Sequence, residues 1–229
     1  MTDAGVGVCA VLVAAGAGER LAADRPKAFV PLDGRPLLAT SLERLEASDW
    51  IDAIVVVAPP AWEEPAILLA EELVAGKVVA VVTGGATRAD SVRIGVEEAP
   101  EDAAVLLVHD AARPLVTDAV IERVLAPLSE GWDGVVPGLA VADTVKRVSG
   151  NEVVETVDRS ELMAVQTPQA FLADVLRRAC RSDLGAATDC SSLVESTGGR
   201  VRIVDGDPNL LKVTTHADLD RVERLLAAS

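Results

Sequence analysis

Short apolar runs alternate with amphipathic stretches along the first 140 residues of this chain. The runs are Val6–Ala14, Ile54–Ala58, Val78–Val82, Val105–Val108 and Gly134–Pro137. Unbroken apolarity bounded by turn residues is the pattern of a strand buried on both faces. Between the runs, Leu37–Ala47, Trp62–Ala75, Ser91–Glu98 and Asp118–Leu128 place apolar residues at helical spacing. Strand and helix in alternation predict a parallel sheet with right-handed crossovers. Ligands of such sheets bind beyond the carboxyl ends of the strands, so the residues just after each run are where chemistry is expected.

The pattern changes after Pro137. Asp143–Val148 and Val153–Arg159 alternate polar and apolar residues around the turn Ser149-Gly150-Asn151-Glu152, which predicts a β-hairpin. An isolated hairpin is only marginally stable, so its apolar face must be covered, either by its own domain or by a second subunit, of which the second is the favoured cover. Beyond it, Pro168–Arg181 reads as a helix, Thr188 as the N-cap of another, Val201–Val204 as a strand and Thr215 as the start of the last helix. No internal repeat or low-complexity linker divides the chain. The expected architecture is α/β over residues 1–229 as a single domain: a Rossmann-like, mostly parallel sheet with helices on both faces and a protruding dimerisation hairpin at about 140–160.

Composition narrows this picture. Half of the 229 residues are hydrophobic but only Phe29, Phe171, Trp50, Trp62 and Trp132 are aromatic, so the core must be built from Val, Leu, Ile and Ala. No apolar run approaches ~18–20 residues, so no membrane crossing is expected. With no basic segment before it, Val6–Ala14 reads as a strand and not a signal peptide. Cys9, Cys180 and Cys190 have no metal-type spacing; Cys9 and Cys180 read as buried small hydrophobes, which fits the cytoplasm. Only two histidines are present, which disfavours a His-based zinc site. A net charge of −15 argues against nucleic acid as a partner. The acidic excess lies largely on predicted helices, whereas Arg20, Lys27, Arg113, Lys146, Arg147, Arg159 and Lys212 fall at strand ends or in loops. That separation suits an anionic substrate.

Three segments carry candidate chemistry. In the first, the run ending Val13 breaks into the small-residue loop Ala14-Ala15-Gly16-Ala17-Gly18, followed by Arg20 and Pro26-Lys27. Backbone N–H groups can approach phosphate oxygens where bulky side chains are missing, and the two cations complement them. The loop is not a P-loop, and the third glycine of a dinucleotide fingerprint is replaced by Leu21. The second strand ends Val57-Ala58-Pro59, with no acid to hold a ribose, which also disfavours an NAD-dependent oxidoreductase. The loop therefore suits a mononucleotide triphosphate. In the second segment, His109-Asp110-Ala111-Ala112-Arg113-Pro114, a carboxylate at a strand end suits Mg²⁺, which takes one or two carboxylates plus phosphate oxygens; alternatively Asp110 caps the turn and pairs with Arg113. In the third, Gly84-Gly85-Ala86-Thr87 runs into a helix start suited to a base or ribose, with Ser91 able to donate to the base edge, or is a plain loop capped by Thr87. Lys212 lies between a strand and the last helix, where a surface cation is the simpler reading.

Together, Ala14–Arg20, Pro26-Lys27, Arg88–Val92, His109–Pro114, Asp143-Thr144-Val145-Lys146-Arg147, Val157–Arg159, Thr167-Pro168-Gln169 and Thr188-Asp189 resemble the nucleotidyltransferases that activate sugar and polyol phosphates. Within these the resemblance is strongest to the 2-C-methyl-D-erythritol 4-phosphate cytidylyltransferase family of the non-mevalonate isoprenoid pathway, and covers nearly the whole chain. It implies that Ala14, Ala15, Gly16, Ala17, Gly18, Ser91 and Ala111 bind CTP, with Gly84 and Gly85 near the base. It implies that Arg20 and Lys27 stabilise charge on the α-phosphate and that Asp110 holds Mg²⁺. Arg159 and Lys212 would orient the polyol phosphate, with Arg113, Thr144 and Thr167 nearby, and the arm would form a homodimer in which Thr144 and Arg159 serve the neighbouring site. The chain departs from the family at Ala86, where a polar or acidic residue is usual, at Leu210-Leu211 before Lys212, and at Cys190, where an acid is common. The alternatives are a ribitol 5-phosphate cytidylyltransferase and a non-catalytic nucleotide sensor.

Overall fold

The computed structural model describes residues 7–228 apart from 17, 19, 20, 22, 23 and 183–188. Its strands in chain order are β1 (Val8–Val13), β2 (Pro31–Leu32), β3 (Arg35–Pro36), β4 (Ala53–Ala58), β5 (Val78–Thr83), β6 (Val105–Asp110), β7 (Gly134–Ala140), β8 (Val145–Ser149), β9 (Glu152–Val157), β10 (Met163–Val165), β11 (Gln169–Leu172) and β12 (Val201–Asp205). Its α-helices are α1 (Leu37–Ala47), α2 (Glu63–Glu72), α3 (Arg88–Glu97), α4 (Asp118–Leu125), α5 (Ala173–Cys180), α6 (Cys190–Ser196) and α7 (His216–Leu226).

The main sheet runs β10-β7-β11-β6-β1-β4-β5, with β12 also on β7. Pairing is parallel along β6-β1-β4-β5 and between β7 and β12. The antiparallel strands β10 and β11 interrupt it. Alternate residues of β1 enter opposite layers. Ala10 and Leu12 pack with Leu38, Leu42 and Leu45 of α1 and with Val120, Ile121 and Val124 of α4. Cys9 and Val11 pack with Val92 and Val96 of α3, Leu176 of α5 and Leu193 of α6. Helices thus cover both faces, as the continuous apolar runs predict. A third cluster joins Leu21, Val30, Leu32 and Leu37 to Val213 and Val222, tying the loop after β1 to the last helix.

Three expectations need correction. The segment Pro168–Arg181 is not one helix: residues Gln169–Leu172 form β11, hydrogen-bonded to β6 on one side and β7 on the other, and α5 starts at Ala173. A short apolar segment has no period that separates strand from helix, and here the flanking strands decide. Asp118–Leu128 ends as α-helix at Leu125 and continues as a 3-10 turn over Ala126–Glu130, because Pro127 cannot supply the helical N–H. Thr188 lies outside the described residues, and the cap of α6 is Asp189, whose Oδ1 accepts from Ser192 N at 3.1 Å.

The hairpin forms as expected, as a separate two-stranded sheet of β8 and β9. Its valines Val148, Val153 and Val154 are 56–60% exposed, left uncovered by the described residues. Among the described residues no helix is long and apolar enough to cross a membrane.

Candidate active site

The carboxyl ends of β1 and β6 and the turn into α3 surround a cleft of about 700 Å³. Parallel pairing sets Val13 opposite Asp110, so the loop after β1 and the turn after β6 leave the sheet side by side. Two hydrogen bonds hold them there, from Ala14 N to Val57 O (2.9 Å) and from Ala111 N to Val13 O (3.0 Å).

Ala14, Ala15, Gly16 and Gly18 form one wall of it. Gly18 has φ +73°, and a Cβ on it would lie 2.6 Å from Lys27 Cβ. A Cβ on Gly16 would meet nothing within 4 Å. Lys27 faces the cleft from the first position of a 3-10 turn, Lys27–Phe29, that follows Pro26. Leu21, standing where a dinucleotide fingerprint has its third glycine, is fully buried in the cluster under α7. Ala17 and Arg20 lie outside the described residues.

The opposite wall comes from Gly85, Ala86, Thr87, Arg88 and Ser91. Gly84 lies behind it, where a Cβ would come within 2.3 Å of Ala15 Cβ. Thr87 is the N-cap of α3, in a reciprocal capping box with Asp90. Ser91 Oγ accepts from Gly85 N at 3.1 Å and donates to Thr87 O at 2.9 Å. Its proton is therefore spent on shaping the loop, not offered to a base.

Asp110 is the centre of the floor. Its Oδ1 accepts from both Nε (3.0 Å) and Nη2 (2.9 Å) of Arg88, and its Oδ2 from Lys212 Nζ at 2.7 Å. Burial works to raise the carboxyl's pKa, but Arg88 and Lys212 outweigh it and hold it well below the usual carboxylate range. The alternative pairing of Asp110 with Arg113 does not form: Arg113 Nη1 donates to Leu210 O at 2.8 Å. Arg88 is the site residue that pattern reading missed, although it sits in a recognised motif. The one local signal is an arginine at the first position of a helix that starts just after two glycines.

Behind Asp110 lies a buried relay. His109 is fully buried, and its Nε2 is 3.1 Å from Arg113 O, an oxygen that can only accept. Nε2 therefore carries the proton, and Nδ1 accepts from Thr167 Oγ1 at 3.2 Å. Thr167 Oγ1 in turn accepts from Asp110 N at 3.0 Å. Burial pushes the His109 pKa down to about 4, so the ring is neutral. Thr167 and Arg113 do not line the cleft; they brace the turn that carries Asp110. Nor do Thr144 and Arg159 line it. Thr144 leads into β8, and Arg159 opens the 3-10 turn after the hairpin, its Nη1 donating to Ala142 O. Ala111 and Lys212 are on the cleft surface, as expected.

The chain matches the family model for 2-C-methyl-D-erythritol 4-phosphate cytidylyltransferase over residues 8–228. It is 48% identical over 220 residues to the protein of that name from Nocardia farcinica, covering 96% of this chain and 94% of that one. It is 47% identical over 224 residues to the one from Saccharopolyspora erythraea, covering 96% and 99%. Among solved structures, that of 2-C-methyl-D-erythritol 4-phosphate cytidylyltransferase from Thermus thermophilus superposes with a TM-score of 0.77 at 32% identity, covering 95% of this chain and 98% of that one. The 4-diphosphocytidyl-2C-methyl-D-erythritol synthase of Anaerococcus prevotii gives a TM-score of 0.83 at 25% identity, covering 96% and 98%. By that match over nearly its whole length, and by relatives of this identity, the chain belongs to the 2-C-methyl-D-erythritol 4-phosphate cytidylyltransferase family.

Proposed function

We infer that this enzyme joins CTP to 2-C-methyl-D-erythritol 4-phosphate, giving 4-diphosphocytidyl-2-C-methyl-D-erythritol and pyrophosphate. The observation that carries the chemistry is the cleft itself: a bare-backbone loop, Lys27 and the pair Arg88–Lys212 gathered on Asp110 in a protein that is otherwise strongly acidic. An oxygen of the acceptor's phosphate attacks the α-phosphorus of CTP in line, the bond to the bridging oxygen breaks, and pyrophosphate leaves. A phosphate monoester is already nucleophilic, so no general base is required. The neutral, fully buried His109 fits that scheme, since it is placed to brace a turn and not to take a proton.

Catalysis is then positioning plus charge neutralisation. A cation ~4 Å from a phosphate oxygen interacts by about 4 kcal/mol at an effective dielectric of ~20. Lys27 and Arg20 take that role at the α-phosphate; Arg88 and Lys212 meet the phosphates from the floor. Ala86 offers no polar side-chain atom, so the base is read there through main-chain groups.

The floor suits one Mg²⁺. Asp110 is the one carboxylate among the described residues lining the cleft. Its Oδ2 spends a single lone pair, on Lys212, and leaves room for one further bond. A single carboxylate plus phosphate oxygens is a ligand set that Mg²⁺ accepts. Bound there, the ion supplies further neutralisation of the triphosphate.

The uncovered hairpin valines support a homodimer, with Thr144 and Arg159 reaching the neighbouring subunit's cleft. Three free, buried thiols suit a cytoplasmic location. The test is product analysis by mass spectrometry after incubation with CTP, Mg²⁺ and the acceptor. A cytidine diphosphate diester is expected, formed at least ~100-fold more slowly by Lys27→Ala. CTP binding without any diester would point instead to a nucleotide sensor.

A further inference from the structure

Lys212 is carried by a strap, residues 206–214, that has no helix or strand of its own. Its ammonium nevertheless lies 2.7 Å from Asp110 Oδ2. Something must hold the strap, and the buried amide of Gln166 is built to do it. Gln166 Nε2 donates to Asp207 O at 2.9 Å, and Gln166 Oε1 accepts from Asp207 N at 3.0 Å. The side chain thus pairs with one residue of the strap as a neighbouring strand would. The same Nε2 lies 3.4 Å from Leu210 O, the oxygen that Arg113 also grips. Gln166 is itself anchored to the sheet by its own N–H, which donates to Pro137 O at 2.8 Å. The fit is close: a Cβ on Gly206 would stand 2.5 Å from Gln166 Oε1.

We propose that Gln166 is a positioning residue for catalysis, fixing the register of the strap so that Lys212 reaches Asp110 and the reacting phosphates. This rests on the reading of Lys212 as a cation of the reaction. A misplacement of about 1 Å in a catalytic group costs up to ~100-fold in rate, so the anchor has kinetic leverage.

The test is a double-mutant cycle read by pyrophosphate release in the intact enzyme. Gln166→Ala is expected to lower kcat by ~10- to 100-fold with little change in the KM for CTP. Gln166→Glu, which keeps the shape but replaces the donor that Asp207 O and Leu210 O need, is expected to behave alike. In a Lys212→Ala background, adding Gln166→Ala is expected to cost less than ~2-fold. Multiplying losses in that background, or full activity of Gln166→Ala, would overturn the proposal. Should Gln166→Ala fail to fold, Gly206→Ala pushes the strap off the same amide and must show the same non-additivity. Full activity of Lys212→Ala alone would remove the reading of Lys212, a different failure from additivity in the cycle.

Discussion

Gly18 and Lys27 are packed so closely that a single added carbon would separate them: a Cβ on Gly18 would lie 2.6 Å from Lys27 Cβ, at a backbone φ of +73°. The loop and the cation are therefore one unit. Gly18→Ala is expected to strain the backbone by ~1–2 kcal/mol, displace Lys27 and lower kcat at least ~10-fold. At Gly16, where a Cβ would meet nothing within 4 Å, alanine should leave the melting temperature unchanged and raise the KM for CTP by narrowing the approach to the backbone. Steady-state kinetics and calorimetry on both variants check this. Equal effects of the two would mean the loop does not position Lys27.

The two-point grip of Arg88 on Asp110 Oδ1 cannot be copied by lysine, which has a single nitrogen. Arg88→Lys should therefore lose ~10-fold or more in kcat/KM while keeping the charge. The same grip sets a pH expectation. A carboxyl held below its ordinary value of 3.8 contributes stability that is fully present above that value and is lost only as pH falls through the lower folded value. Activity should thus show no acid limb from Asp110 near neutrality. A limb that moved in Arg88→Lys would contradict the geometry.

All three thiols are buried, and burial pushes Cys9 and Cys180 up to about 12 and Cys190 up to about 11. A thiol titrant at mildly alkaline pH should find none of them in the folded protein and three after denaturation. Rapid loss of Cys190 in the native enzyme would show that the contact between its sulfur and Arg88 Nη1, at 3.9 Å, opens readily.

If the hairpin carries Arg159 into the neighbouring subunit's cleft, two dead variants can rescue each other. Mixed one to one, Lys27→Ala and Arg159→Ala should regain about a quarter of wild-type turnover, because half the dimers are mixed and each holds one intact site. Enzyme assay after refolding the mixture checks it. No recovery, with both variants dimeric by light scattering, would place Arg159 in its own subunit's site.

What the sequence made legible follows physical burial. The strands β1, β4 and β6 are covered by helices on both faces and so read as unbroken apolar runs, and their ends locate the site. β11 was hidden because Gln169–Leu172 is too short to show a period, and only its two neighbours make it a strand. Arg88 was hidden for a related reason. An arginine in a first helical turn is ordinarily a solvated cation; it becomes part of the site only because α3 starts opposite the end of β6. Gln166 likewise acts through Asp207, 41 residues along the chain, a relation no local pattern carries.

The pair of substrates is read out by pyrophosphate release from CTP and Mg²⁺ with 2-C-methyl-D-erythritol 4-phosphate or ribitol 5-phosphate as acceptor at equal concentration. The enzyme is expected to release pyrophosphate with the first and almost none with the second. Release with ribitol 5-phosphate alone would overturn 2-C-methyl-D-erythritol 4-phosphate as the acceptor.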